Sequence, residues 1–237
     1  EAVRVQGGFG FAAHPDESFS RQNAYKPLAW QDKSVTPDGI EIWNWFSQWA
    51  DNFCEKNIFK IIYAYIFKNK LVTKPYEKTL KWWDELNSKE EDKIIPAIGG
   101  SDVHGLKISK YLLPVVIFPY EFMLKTIVNA INLPEKLNED FEKGKAQILD
   151  ALKSGCNVVL NLQICDKMPD IYIENCKEKA SAGGIIFLDS ETYLVVQCCK
   201  KFMIRVLKDG REIRAEKTGQ LRFKISETGK YRVEIEQ

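Results

Sequence analysis

This 237-residue sequence predicts a mixed α/β fold, with parallel βα units through residue 155 and a small β-sandwich-like unit over residues 156–237. Three observations support this. In the first stretch, short apolar runs alternate with longer segments of helical period, the pattern of parallel βα units. In the second, short strand-like runs follow one another with turn formers between them. The composition, 45% hydrophobic and 28% charged, is that of a globular chain with enough apolar residue for a sizeable core, which argues against disorder.

The elements follow in order. Gly8–His14 (GFGFAAH) is an apolar run that stops at Pro15, as a buried strand does, because proline cannot donate to a ladder. Residues 16–38 are polar and rich in turn formers, hence a long loop. Gly39–Trp43 is a second strand. Trp45, Trp49 and Phe53 recur at four-residue spacing and mark one face of a helix. Helical stretches follow at about 57–70 and after Pro75, the latter with Leu80, Trp83 and Leu86 on one side. Ile94–Ile98 is a third strand, running into Gly99-Gly100-Ser101, and helices are expected near 119–131 and 141–154. In the second stretch, strands are expected at Asn157–Gln163, Ile185–Leu188, Tyr193–Cys199, Phe202–Leu207, Leu221–Ile225 and Tyr231–Glu236. Lys208-Asp209-Gly210 is a hairpin turn signal and Thr228-Gly229 marks a further turn.

Composition also narrows function. A formal charge of +1 without strong asymmetry predicts no general affinity for nucleic acid or membrane lipid. The most apolar stretch, Ile58–Phe67, falls short of the ~20 residues that span a bilayer. The six cysteines show no C-x-x-C spacing, so a zinc ribbon is not indicated, and free thiols in a reducing, cytoplasmic setting are expected. Adjacent Cys198 and Cys199 in a strand would face opposite ways. The clustered tryptophans are expected in the core.

The chemistry concentrates on the only two histidines, His14 and His104, each where a strand gives way to a loop. Asp102 and His104 are two residues apart, which puts both side chains on one face of an extended segment. A carboxylate and two imidazoles converging on one point suit Zn²⁺, Mn²⁺ or Fe²⁺. The glycines around Asp102 and His104 permit sharp turns and close approach to a ligand. Asp16 and Glu17, just after His14-Pro15, are placed to reach a metal or orient a water, but a solvated turn is the stronger expectation. Glu41 is expected to face outward or to pair with a cation.

Three segments, Gly7–Pro15, Gly39–Asn44 and Gly99–Gly105 (GGSDVHG), resemble in order and rough spacing the late motifs of the PHP (polymerase and histidinol phosphatase) family of metal-dependent phosphoesterases. Ile204–Gly210 and Gly229–Glu234 are similar to pieces of the small C-terminal domain that some members carry. The resemblance implies that residues 1–155 are the C-terminal portion of a distorted barrel of seven βα units. It implies a site of two or three divalent metal ions (Mn, Zn or Fe), metal-ligand roles for His14, Asp102 and His104, and a small-molecule phosphate ester as substrate. Glu41 and Asn44 match a position near that site and are not assigned as ligands. Members also carry an early His-x-Asp-x-His-like motif and further ligands, and no third histidine exists here. The start at Glu1 without Met, at an abrupt strand-like run, favours a chain whose partner is the N-terminal half of the same protein. The alternative is a non-catalytic binding protein with a degenerate site. In either case weak or no turnover is expected of this chain alone, and half a barrel would fold only with its other half.

Overall fold

The computed structural model describes residues 2–18, 28–51, 58–91, 93–108 and 115–237. Its first element is a helix, α1 (Ala2–Val5), where the sequence reads as a strand. Gly7, at φ 71°, ends this helix: the Gly7 and Gly8 amides donate back to the carbonyls of Arg4 and Val3, and a side chain would be strained there. The expected strand over 8–14 is reduced to β1 (Phe11–Ala12). Then come β2 (Gly39–Asn44), α2 (Trp45–Asp51), α3 (Ile58–Ile66), α4 (Lys68–Leu71), α5 (Glu77–Ser88) and β3 (Ala97–Gly100). Phe53, expected on the α2 face, lies outside the described residues.

These three strands form one parallel sheet in the order β1-β2-β3. Phe11 is opposite Gly39, and Asn44 is opposite Gly100, so the carboxyl ends of all three strands share one edge. Ala12, Ile40, Trp82, Leu86, Ile95 and Ala97 form the core that α5 makes with the sheet. Its buried Thr79, Trp82 and Leu86 recur at helical spacing.

A short antiparallel pair, β4 (Leu106–Ile108) and β5 (Val115–Ile117), precedes α6 (Tyr120–Met123). The helix expected over 119–131 ends at Met123, and β6 (Ile127–Ile131) follows it. After α7 (Phe141–Lys153), capped by the Asp140 side chain, β7 (Asn157–Asn161) runs antiparallel to β6. Pairing with β7 overrides the local helical period of β6, whose Ile127-Val128 suits a strand. The same pairing ties β7 to the first stretch of the chain, although its sequence groups it with the all-β stretch.

The β6–β7 pair joins β3 through side-chain amides. Asn129 accepts from the Gly99 N–H at 2.9 Å and donates to the Gly99 carbonyl at 2.8 Å, while Asn157 donates to the Ala97 carbonyl at 3.0 Å. Gly99 allows this approach: a Cβ there would collide with Ile127 and Val159. A second core, built on Trp45, Trp49, Phe118, Met123 and Ile127, closes over the same region. Phe118 meets Trp45 and Trp49 edge-on, with ring centroids 5.1 and 4.6 Å apart. The tryptophans of these segments are core residues, as expected.

The rest is one antiparallel sheet made of β8 (Asp170–Glu174), β9 (Lys179–Ser181), β10 (Tyr193–Lys208), β11 (Arg211–Lys224) and β12 (Tyr231–Glu236). The two strands expected at 193–199 and 202–207 are a single strand, β10, with a register shift against β11 between Gln197 and Phe202. One half of β10 pairs with β8 and the other with β12, so the break lets a single sheet wrap its own core of Leu194, Val196, Ile204, Val206, Leu221 and Ile225. The Asp209-Gly210 turn joins β10 to β11, both residues at positive φ, as its sequence predicts. Residues 185–188 form no strand; Ile185 and Phe187 are exposed, and the Phe187 backbone is bonded to the Glu178 and Asn175 side chains.

This sheet is fixed to α5 by two cations. Lys230 donates to the Asn87 and Lys93 carbonyls at 2.6 and 2.7 Å, and Arg232 reaches Asp84 at 2.9 Å and also pairs with Glu234. Burial pushes the Asp84 and Glu234 carboxyls above their usual range, and the Arg232 guanidinium opposes this at both. No helix among the described residues is long and apolar enough to cross a membrane.

Two predictions follow from this packing. Gly99→Ala should lower stability by ~1–3 kcal/mol in urea unfolding, because the new methyl must displace Ile127 or Val159. Arg232→Met should destabilise the fold most at neutral pH and least near pH 4. Without the guanidinium, both folded-state carboxyl pKa values rise further above their unfolded values. The penalty is therefore paid only where the unfolded carboxyls are ionised, and it fades as pH falls into their ordinary range. Denaturation midpoints measured from pH 4 to 8 check this.

Candidate functional site

The candidate residues lie at the carboxyl edge of the parallel sheet. His14 follows β1, Glu41 and Asn44 belong to β2, and Asp102 and His104 follow β3. Open α/β sheets bind ligands at this edge, because the loops that leave it can present side chains to a common point. His14 and Asp102 both have positive φ, 30° and 51°, as do only Phe118 and Asp209 among the other described non-glycine residues. Such backbone costs ~1–3 kcal/mol per residue and persists where the surroundings impose it.

Glu41 is the centre of the arrangement. Its carboxylate accepts the His14 backbone N–H at 2.6 Å and the Asn44 amide at 3.1 Å, and Asn44 in turn accepts the Ser47 N–H at the start of α2. The sequence expectation of an outward or cation-paired Glu41 is therefore corrected: it is buried and bonded to neutral donors. Burial pushes its carboxyl above the usual range, the two hydrogen bonds oppose this, the charge of His14 lowers it and that of Asp102 raises it. Glu41 thus feels both arms of the site. Gly100 leaves room for it, since a Cβ there would overlap Glu41 Oε1.

Asp102 and His104 meet directly, His104 Nε2 lying 3.1 Å from Asp102 Oδ1. The Phe46 ring of α2 meets the imidazole of His104 edge-on at 4.8 Å. His104 is half exposed, so the pair opens toward solvent. By contrast, His14 Nδ1 is buried and has no hydrogen-bond partner. An imidazole nitrogen in that state loses its solvation without compensation, which a metal ion or a bound proton donor would supply.

The structure thus brings Asp102 to His104 and joins His14 to Glu41. Among the described residues, however, no group of three or more His, Cys, Asp or Glu side chains is gathered as a metal-holding set. The donor types fit a borderline divalent cation, and the orphaned Nδ1 of His14 fits a ligand position.

His14 lines a small cavity of about 10 Å³ together with, among others, Glu17, Glu41, Tyr76 and Thr79. The turn after His14 is not solvated: Asp16 and Glu17 are buried. Asp16 is held by Thr79 Oγ1 at 2.8 Å and Lys33 at 3.1 Å, whereas Glu17 Oε2 has no partner. The Tyr76 hydroxyl donates to Asp51. Burial, that bond and the charges of Asp51, Glu17 and Asp16 hold it protonated far above its usual range. The only sequence signal for this acidic wall is the placement of Asp16 and Glu17 directly after His14-Pro15.

Compared with family models, curated proteins and solved structures, the chain matches none.

Gly100→Ala tests the role of Glu41. It should push the carboxylate off the His14 amide and cost ~1–3 kcal/mol in chemical denaturation. The His14 amide resonance should move upfield as its charged acceptor is lost.

Proposed function

We propose that this chain carries part of a metal-dependent hydrolase centre of PHP type, acting on phosphate esters, in which His14, Asp102 and His104 supply metal ligands. The observation that supports it best is their placement on loops leaving one edge of three adjacent parallel strands. On this reading the parallel sheet is a segment of a distorted barrel of seven βα units, with the β8–β12 sheet as the appended β domain. The N-terminal half of the same protein would supply the remaining ligands, for a total of two or three Mn, Zn or Fe ions in a cytoplasmic enzyme.

Each residue then has a defined task. His14 offers the buried, unpartnered Nδ1. Glu41 holds the His14 backbone in its strained conformation through the N–H bond. Asp102 and His104 present a carboxylate and an imidazole side by side, and Phe46 limits rotation of the His104 ring. A bound divalent cation would lower the pKa of an attached water toward ~7 and offset charge on the phosphoryl oxygens. Glu41, already buried and bonded, is a positioning residue rather than a ligand.

The test is equilibrium dialysis of the complete polypeptide against Mn²⁺ or Zn²⁺ with elemental analysis, together with its p-nitrophenyl phosphate turnover before and after chelation. We expect chelator-sensitive turnover, and at least a tenfold loss of metal affinity, about 1.4 kcal/mol, in Asp102→Ala. No retained metal, or equal retention by Asp102→Ala, would remove the proposal and favour a non-catalytic binding role.

A further inference from the structure

Two thiols from distant parts of the chain, Cys165 and Cys199, meet. Cys165 lies in the turn after β7, where the Ile164 and Cys165 amides both donate to the Asn161 carbonyl. Cys199 lies in the stretch of β10 where the ladder to β11 shifts register. Their sulfurs are 3.7 Å apart. Cys198 points the other way, against the core of the sheet, as alternation along a strand requires. Cys199 is exposed, while Cys165 is partly buried and burial pushes its thiol up.

The place matters as much as the distance. Strand β12 lies along the junction between the two parts of the fold. At its start Lys230 holds the end of α5, and just past its other end Gln237 donates to the Ile164 carbonyl at 3.3 Å, next to Cys165. The first contact is a charged clamp and the second is a single weak hydrogen bond. The thiol pair lies beside this weaker end. It also lines a large cleft of about 1130 Å³ between the α/β part and the sheet.

We infer that Cys165 and Cys199 are a redox modification site, forming a reversible disulfide that ties the β7 turn to the irregular stretch of β10. The sulfurs must close from 3.7 Å to the ~2 Å of a disulfide, and Cys199 lies where the β10–β11 ladder is irregular. With a peroxide as oxidant, the exposed Cys199 thiolate attacks one peroxide oxygen. The O–O bond breaks, hydroxide leaves and takes up the proton that Cys199 had released, departing as water, and Cys199 becomes a sulfenic acid. The Cys165 sulfur then attacks the Cys199 sulfur, the S–O bond breaks and a second water departs with the Cys165 proton. Two thiols give two electrons to one peroxide, and a dithiol reductant reverses the bond. Cys199 is the attacked partner because it is exposed and Cys165 is held in its thiol form by burial.

The test is peptide mapping of the reduced protein after treatment with hydrogen peroxide, with free thiols blocked by N-ethylmaleimide. The expected product is a Cys165–Cys199 linked peptide pair, lost on dithiothreitol treatment and still formed in Cys198→Ser. Thermal unfolding of the oxidised protein should show a higher Tm than the reduced form, and Cys199→Ser should remove that shift. The mapping reads the native sequence, so it stands even if a variant fails to fold. Linkage of Cys165 to any other cysteine, or oxidation of Cys199 to sulfinic acid with Cys165 still free, would overturn the assignment.

Discussion

The parallel alignment of three short strands is the constraint on which the candidate site depends. Parallel strands put their carboxyl ends on the same side. A residue just after β1 and residues just after β3 therefore lie at one edge of the sheet, though nearly ninety positions separate His14 from Asp102. The sheet is small, and its β3 side is completed by amide groups where an ordinary ladder would run. Asn129 and Asn157 satisfy the backbone of Ala97 and Gly99, and Gly99 has to lack a side chain for them to reach it. Buried backbone groups must find partners, and here asparagine side chains supply them.

The same economy appears at the other glycine of the pair. Gly100 leaves space that Glu41 fills, and Glu41 uses it to bind the His14 backbone and the Asn44 amide. A buried carboxylate held only by neutral donors is an expensive arrangement, and the pKa of Glu41 rises accordingly. Its carboxyl feels the charges of both His14 and Asp102. The orphaned Nδ1 of His14 and the unpartnered Glu17 Oε2 lie on the same side of the sheet, in surroundings where unsatisfied polar atoms are costly.

The junction between the two parts of the fold has a different character. Lys230 and Arg232 fasten one end by multiple charged contacts, and burial at Asp84 and Glu234 makes that fastening sensitive to loss of the guanidinium. The opposite end relies on Gln237 and on the proximity of two sulfurs. One long strand, β10, serves both ends, because its break in register lets a single sheet bend around one core.

Several features were legible in the sequence because they rest on local pattern. The alternation of apolar runs and helical segments marked the βα region, Asp209-Gly210 marked the hairpin, and the spacing of Trp45 and Trp49 marked a core face. Asp102-x-His104 marked two side chains that do meet. Other features were decided by partners remote in the chain. Residues 127–131 became a strand because β7 was available to pair with them, and residues 193–208 became one strand because β8 and β12 pair with its two halves. The burial of Asp16, Glu17 and Glu41 had no local signature, since all three are polar and depend on α5 or the sheet to cover them. By itself, then, the sequence determined the residue types of the site and their place at strand ends, which follow from periodicity and turn chemistry. Only the tertiary structure decided which of those residues touch, because contact across the sheet is set by register and by the space that Gly99 and Gly100 leave open.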